Sequence, residues 1–323
     1  MLKKRMLSAL SLGISMAFAG AAHAAYPERP VTIVVPYPPG GTTDLLARTI
    51  SMKLTKSLGQ TFIIENKPGA GGQIGSQAVA KAKPDGYTLV MGNINSHGIN
   101  AALYKALPYR PVQDFAPVII VAETPNVMIA NKDAPFKTFD EFMTYAKQNP
   151  GAISFGSTSI GGSPHMSGEL LKAKGEIDMV HVPYQGAGPM LNDVLGGQIQ
   201  VGFDNLPSSA GHIESGSLRA LAVTTKERWP TFEKIPTIAE SGVAGYEVSA
   251  WFGILAPAGT PDDVVQKLNQ SIASALTEDD MIKRLDGMGA RAVKNTPQQF
   301  ADYIQSEVTK WTEVVKNNDL PMR

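Results

Sequence analysis

Two stretches of the chain repeat one chemical idea. Residues 36–44 (Pro36-Tyr-Pro-Pro-Gly-Gly-Thr-Thr-Asp44) and 156–165 (Gly156-Ser-Thr-Ser-Ile-Gly-Gly-Ser-Pro-His165) each set glycines and hydroxyls between an apolar β-type run and a helical pattern. A helix start leaves about four backbone N–H groups unpaired, and the helix dipole there favours negative charge. Gly40, Gly41 and Gly162 let the backbone approach a bound group closely. Gly40 and Gly41 are expected to act through backbone shape. Thr42, Thr43, Ser157, Thr158, Ser159 and Ser163 add donors, and Tyr37 and Asp44 belong to the same first loop. One such loop on each side of a ligand would grip an anion. Ordinary βα turns are also glycine-rich, so the loops alone do not establish a site.

Further polar residues occupy related positions. Asp204 and Asn205 follow the apolar run Val201-Gly-Phe203, at the carboxyl end of a strand, where open α/β sheets bind ligands. Both types also favour plain turns. His97, with Ser96 beside it, lies in the loop after a third strand, and His165 lies in the second glycine loop. Each histidine suits ligand contact and helix capping or packing equally. His181 alternates with Val180 and Val182 and reads as a satisfied strand histidine. Tyr37, Phe203 and Trp251 are candidate apolar walls, although a lone aromatic is more often core.

Catalytic and cofactor chemistry find little support. No Gly-x-Ser-x-Gly elbow occurs, because the run at Gly161 has His165 in place of the last glycine. The histidines beyond residue 24 (His97, His165, His181 and His212) are far apart in sequence and show no metal spacing. A dinucleotide frame begun at Gly69 puts Ile74 where its third glycine belongs. No metal and no cofactor are therefore expected, and the chain is not read as an enzyme.

The elements that must position these loops alternate. Val31–Val35 is a β-branched run, as in a strand buried on both faces. A helical face through Leu45, Leu46, Ile50, Leu54 and Leu58 follows and stops at Gly59. Strands at Phe62–Ile64 and Tyr87–Met91 flank a helix near 74–82, so the beginning reads βαβαβ. The pattern restarts after a strand-rich stretch, 117–130, broken by Pro125. Helices follow at 139–148, from 164 through Leu171, and at 187–195, with strands at 153–155, 178–183, 199–203 and 220–223. The end is helical: 261–276, 279–288 and 297–316. The fold class is α/β, with two lobes, each a mainly parallel sheet flanked by helices. The expected crossings lie near Glu123–Pro125 and Ser249–Trp251. Lobe 1 is then 25–123 with 251–323, and lobe 2 is 124–250, with the ligand cleft between them. Two short crossings between rigid lobes permit hinge closure.

Residues 1–24 read as a cleaved signal peptide. Lys3, Lys4 and Arg5 precede an apolar run, and Ala22-His-Ala24 is a small-residue cleavage site. Without that leader the chain has 29 − 3 = 26 basic residues against 29 acidic. No basic cluster suggests nucleic acid, and no second long apolar run suggests membrane insertion. The chain lacks cysteine, so its stability must come from its core.

At this point the residues resemble a family. The runs 26–41 with Asp44, 65–72, 83–89, 114–118, 162–165, 181–184 with Gly186, 195–198, 219–224 and 235–240 match, in order, the receptors of tripartite tricarboxylate transporters, also called the Bordetella uptake gene (Bug) family. One departure is Ala101 after Asn100, where relatives usually have proline, which is expected to loosen the turn near Ser96 and His97. The resemblance implies a periplasmic binding protein of type II, or Venus flytrap. It implies a small organic carboxylate ligand, such as a di- or tricarboxylate or an aromatic acid like terephthalate. That ligand would be held by 37–44 and 157–165, with Asp204 on the far wall. It further implies periplasmic localisation, action as a monomer, and delivery to membrane transporter subunits. The alternatives are a sensor input for a signalling partner and a hydrolase.

Overall fold

The computed structural model describes residues 26–317, and the leader read at 1–24 lies outside them. β1 (Val31–Val35), α1 (Thr42–Leu58), β2 (Phe62–Asn66), α2 (Gln73–Ala80) and β3 (Thr88–Asn93) follow in the expected order. β1 lies between β2 and β3, parallel to both. Its side chains are buried except at Thr32, which is what the β-branched run demanded. Gly59 ends α1 in a left-handed conformation, φ 72°, where glycine carries no steric penalty.

After β3 the chain does not form a loop. A π-turn at Asn95–Ile99 runs directly into α3 (Asn100–Leu103). Ala101 continues helical backbone there, and Asn100 Nδ2 ties the segment to the Gly71 carbonyl at 3.0 Å. The looser turn expected from Ala101 is therefore replaced by a braced one.

β4 (Phe115–Asn131) is a single strand of 17 residues. The break expected at Pro125 does not occur. The first part of β4 pairs with β9 (Ser249–Pro257), ending with Pro125 opposite Ser249. One residue later Asn126 pairs with Asn205 of β7 (Val201–Asn205), and β8 (Leu218–Val223) takes the other edge. Proline has no N–H for a ladder. It falls where β4 exchanges one set of partners for another, so the missing donor interrupts little.

The second half contains α4 (Phe139–Gln148), β5 (Ser154–Ser157), α5 (Ser163–Gly175), β6 (Val180–Pro183), α6 (Ala187–Leu195), β7, α7 (Leu206–Glu214) and β8. β5 pairs in parallel with β6 and β7. The strand order is β2-β1-β3-β9-β4-β7-β5-β6. Each end of the sheet is parallel, while β9 and β4 run antiparallel to their neighbours. The parallel reading thus holds for the outer strands, and the two crossing strands make the whole sheet mixed.

After β9 come α8 (Asp262–Leu276), α9 (Asp279–Gly287), the short β10 (Arg291–Ala292) and α10 (Pro297–Asn317). α10 packs against β4 and the π-turn. Phe300 of α10 covers Gly253 of β9, where a Cβ would lie 2.5 Å from Phe300 Cζ and 2.8 Å from the Ile119 carbonyl oxygen. Gly253→Ala should therefore overpack this joint and cost about 1–3 kcal/mol. Thermal melting should show a clear drop in Tm, whereas Gly287→Ala, with open space around its Cβ, should melt like the wild type. Equal melting of the two variants would refute the joint.

Candidate ligand-binding cleft

The first glycine loop is shaped from behind. Gly40 has φ +84°, and its N–H donates to Asp44 Oδ2 at 3.0 Å. Asp44 also accepts from Arg48 Nε and Asn66 Nδ2, each at 2.9 Å. Burial alone would raise this carboxyl, but the bonds from Arg48, Gly40 and Asn66 outweigh it and hold Asp44 below the usual range. Its oxygens are thus committed to the loop. Gly41, the N-cap of α1, has φ −80° and ψ 167° and no side-chain cap. That is extended backbone any residue adopts, so the demand for glycine by shape falls on Gly40 and not on Gly41.

β3 ends in a carboxamide hub. Asn93 Oδ1 accepts from Tyr37 Oη at 3.0 Å and from the N–H groups of Asn95 and Ser96 at 3.1 Å. Asn93 Nδ2 donates to Thr43 Oγ1 at 3.2 Å, which leaves the Thr43 proton available to a ligand. Ser96 and His97, read as ligand contacts, point the other way. The π-turn buries both completely. Ser96 Oγ lies 2.8 Å from His97 Nδ1, and the imidazole packs edge-on against Phe115, ring centres 4.6 Å apart. Burial pushes His97 down to about 3, so it is neutral.

The facing wall is built from the starts of three helices. Ser163 N–H, in the first turn of α5, donates across the cleft to Asn95 Oδ1 at 2.7 Å. Ser163 Oγ and Asn205 Nδ2 both donate to Asn126 Oδ1, at 3.3 and 2.5 Å. Asp204 Oδ2 accepts from Ser208 and Ser209 hydroxyls, each at 2.6 Å. Thr42 Oγ1 donates to Ser208 Oγ at 3.2 Å, a second bond across the cleft. Burial raises Asp204 to about 6 against the pull of those donors.

Between these walls lies a cavity of about 30 Å³, on the order of one or two water molecules in size. Of the residues singled out in sequence, Tyr37, Gly41, Thr42, Thr43, Thr158, Asp204 and Asn205 line it. Gly40, Asp44, Ser96, His97, Ser157, Gly162, Ser163, His165 and Phe203 do not. Phe203 is fully buried and packs edge-on against Phe155 at 5.9 Å. Trp251 is likewise core. His165 stacks on His181 at 3.9 Å and its Nδ1 accepts the Gly161 N–H at 3.0 Å, which braces the second loop from below.

Asn93, Asn95, Gly186 and Ala187 also line the cavity and were missed. Gly186 is the N-cap of α6, φ 117°. Its run is a third glycine turn into a helix, and Met91-Gly-Asn-Ile-Asn95 is a second apolar strand ending in polar residues, so both signals were present. The starts of α1, α6 and α7 border the cavity, and that of α5 joins it through Asn95. Among the lining residues there is no lysine, arginine or histidine, and Asp204 is the charged group. What such a cavity offers a negative group is backbone N–H groups and dipoles, not a cationic side chain. Ser157 Oγ does lie 2.7 Å from His181 Nε2, a serine–histidine contact not foreseen in sequence. Ser157 is fully buried and outside the cavity wall, so the pair presents nothing to a substrate.

A profile described as "Tripartite tricarboxylate transporter family receptor" matches residues 46–320. The chain belongs to this family. It is 34% identical to Protein BugT of Bordetella pertussis over 322 residues, 99% of each chain. Rpa4515 of R. palustris, solved with adipate, superposes with TM-score 0.90 at 39% identity, covering 92% of this chain and all of that one. MatC (Rpa3494) from Rhodopseudomonas palustris, solved with bound malate, gives TM-score 0.85 at 36% identity over 90% of this chain and all of that one. Members of the tripartite tricarboxylate transporter receptor family are solute-binding proteins and not enzymes, in keeping with a Ser157–His181 contact sealed off from the cleft. The two-lobed α/β architecture is the family's. Among the described residues, no helix is long and apolar enough to cross a membrane.

Neutral His97 has a consequence for acid stability. The unfolded chain takes up a proton near pH 6.5 that the native state refuses until about pH 3. This contribution is complete above pH 6.5 and is lost as pH falls toward 3, at up to about 1.4 kcal/mol per pH unit. Asp204 acts in the opposite sense, since its raised value favours the native state as pH falls through about 6. The comparison must therefore isolate His97. Urea unfolding at pH 7 and pH 5 should show wild type losing stability relative to His97→Gln. Parallel pH profiles for the two proteins would contradict a neutral buried imidazole.

Proposed function

We propose that this receptor captures a small organic carboxylate between its lobes in the periplasm and passes it to the membrane subunits of a tripartite tricarboxylate transporter. The observation that carries the reading is the cavity itself. Three helix starts border it, a fourth reaches it through Asn95, and no cationic side chain lines it. Backbone N–H groups at helix starts favour carboxylates without demanding an arginine. Relatives of similar length that were solved with adipate and with malate support the same ligand class. The lobes in this reading are 25–123 with 251–323, and 124–250. The paired strands β4 and β9 form the joint about which they rotate. A cavity of about 30 Å³ is too small for a dicarboxylate, so the lobes must part to admit one.

Ligand chemistry tests this directly. Adipate, malate and their dimethyl esters should be compared in a thermal-shift series. An acid present at 100 times its dissociation constant should add about 2.7 kcal/mol. The esters should add little, because charge-assisted bonds are roughly twice as strong as neutral ones. Equal stabilisation by acids and esters would sink the anion grip.

Asp204 adds a pH test. Its charge would oppose a ligand carboxylate in the same cavity, and that charge develops as pH rises through about 6. Dicarboxylate affinity should therefore be higher at pH 5 than at pH 7.5 by calorimetry. Asp204→Asn should flatten that dependence. A profile unchanged by the substitution would show that Asp204 does not face the bound anion.

A further inference from the structure

We propose that Asn95 is an internal stand-in for the ligand, seated on the start of α5 and holding the cleft shut when it is empty. The inference rests on the reading of the cleft as a carboxylate site and adds a residue that sets its affinity. Asn95 is 7% exposed, and its Oδ1 accepts the Ser163 N–H at 2.7 Å from across the cleft. The N-cap before Ser163 is Gly162, which supplies no side-chain cap of its own. A Cβ on Gly162 would lie 2.4 Å from Ser159 Oγ and 2.8 Å from Asn95 Nδ2, so glycine makes room for the Ser159 hydroxyl and for the carboxamide that lies across the helix end. Asn95 thus caps a helix of the other lobe.

The carboxamide is held ready for this. The Asn95 N–H donates to Asn93 Oδ1, and the π-turn that begins at Asn95 turns the next residues into the core. A carbonyl oxygen then sits where the dipole and the Ser163 N–H favour negative charge. A ligand carboxylate seeks the same N–H and makes the stronger, charge-assisted bond. Binding is therefore an exchange at Ser163, in which the ligand takes over the donor that Asn95 releases. Together with the Thr42–Ser208 bond, this contact accounts for a cleft that is closed around a cavity of only about 30 Å³.

Two substitutions of opposite sign test the exchange. Asn95→Ala removes the competitor, and Asn95→Asp replaces it with a charged one of the same shape. Circular dichroism melting first establishes that both fold. Without ligand, Ser163 amide exchange should be slow in wild type and in Asn95→Ala much faster, with a larger radius of gyration by X-ray scattering. Asn95→Asp should stay compact and protected. With adipate and malate as probes, Asn95→Ala should bind about two- to tenfold more tightly, the range expected for one net hydrogen bond. Asn95→Asp should bind more than tenfold more weakly. A residue that merely supports the fold would weaken binding in both variants, and that result would overturn the proposal. So would a free receptor whose Ser163 exchange and dimensions ignore the alanine. If neither wild type nor variant binds either acid, the ligand class is wrong, while the ligand-free measurements still decide whether Asn95 holds the cleft.

Discussion

A cavity bordered by helix starts and lined by no cationic side chain imposes one constraint on this molecule, and the rest of the architecture answers to it. A lysine can reach for its ligand, but a backbone N–H cannot. Helix starts must therefore be aimed at the site and kept there. The sheet does the aiming. Parallel strands in each half deliver α1, α5 and α6 from their carboxyl ends, and α7 follows β7 directly. Because these ends meet at the cavity, the dipoles add at one place. Asp44 shows the cost of keeping a loop rigid: a buried carboxylate is spent entirely on Gly40, Arg48 and Asn66.

Carboxamides brace each wall of the cavity from behind. Asn93 and Asn126 each accept several donors through Oδ1 while Nδ2 donates elsewhere. Only a group with both functions can join hydroxyls and backbone N–H groups in a space closed to water. Asn126 is also the residue at which β4 changes partners. The point at which β4 changes partners is thus bonded to Ser163 in the first turn of α5 and to Asn205 on the cavity wall.

Much of this was legible in the chain. The β-branched run before Gly40, the helix stop at Gly59 and the second glycine loop all mark local backbone states, and local chemistry sets them. Part of the first loop, Thr158 and Asp204 stand out in sequence because they follow apolar strands, and they line the cavity. What escaped depended on side-chain direction. His97 is a polar residue after a strand, as Asp204 is, yet the π-turn rotates it into a pocket of Phe115 and Tyr109. A one-residue change in helical pitch decides that, and periodicity does not report it. Pro125 predicts a break because proline cannot donate to a ladder. Here the ladder changes partners at that position, a fact of tertiary pairing. The Ser157–His181 contact joins residues 24 apart through strand register, which no motif records.

The same constraint separates what is general in this receptor from what is particular. Backbone donors recognise a carboxylate whatever body it carries, so the grip defines a class of ligand and not one member. Discrimination must then come from the side chains that complete the wall. Tyr37 offers an aromatic side chain, Thr158 a hydroxyl, Ala187 a small apolar face and Asp204 an acceptor that becomes charged as pH rises through about 6. Two of these also hold the helix starts in place: the Tyr37 hydroxyl is part of the Asn93 hub, and Asp204 accepts from Ser208 and Ser209 in the first turn of α7. Thr158 and Ala187 are therefore the wall positions that can vary without disturbing the helix starts. A receptor scaffold that diversifies its ligands must place its variable side chains on a fixed backbone site in just this way.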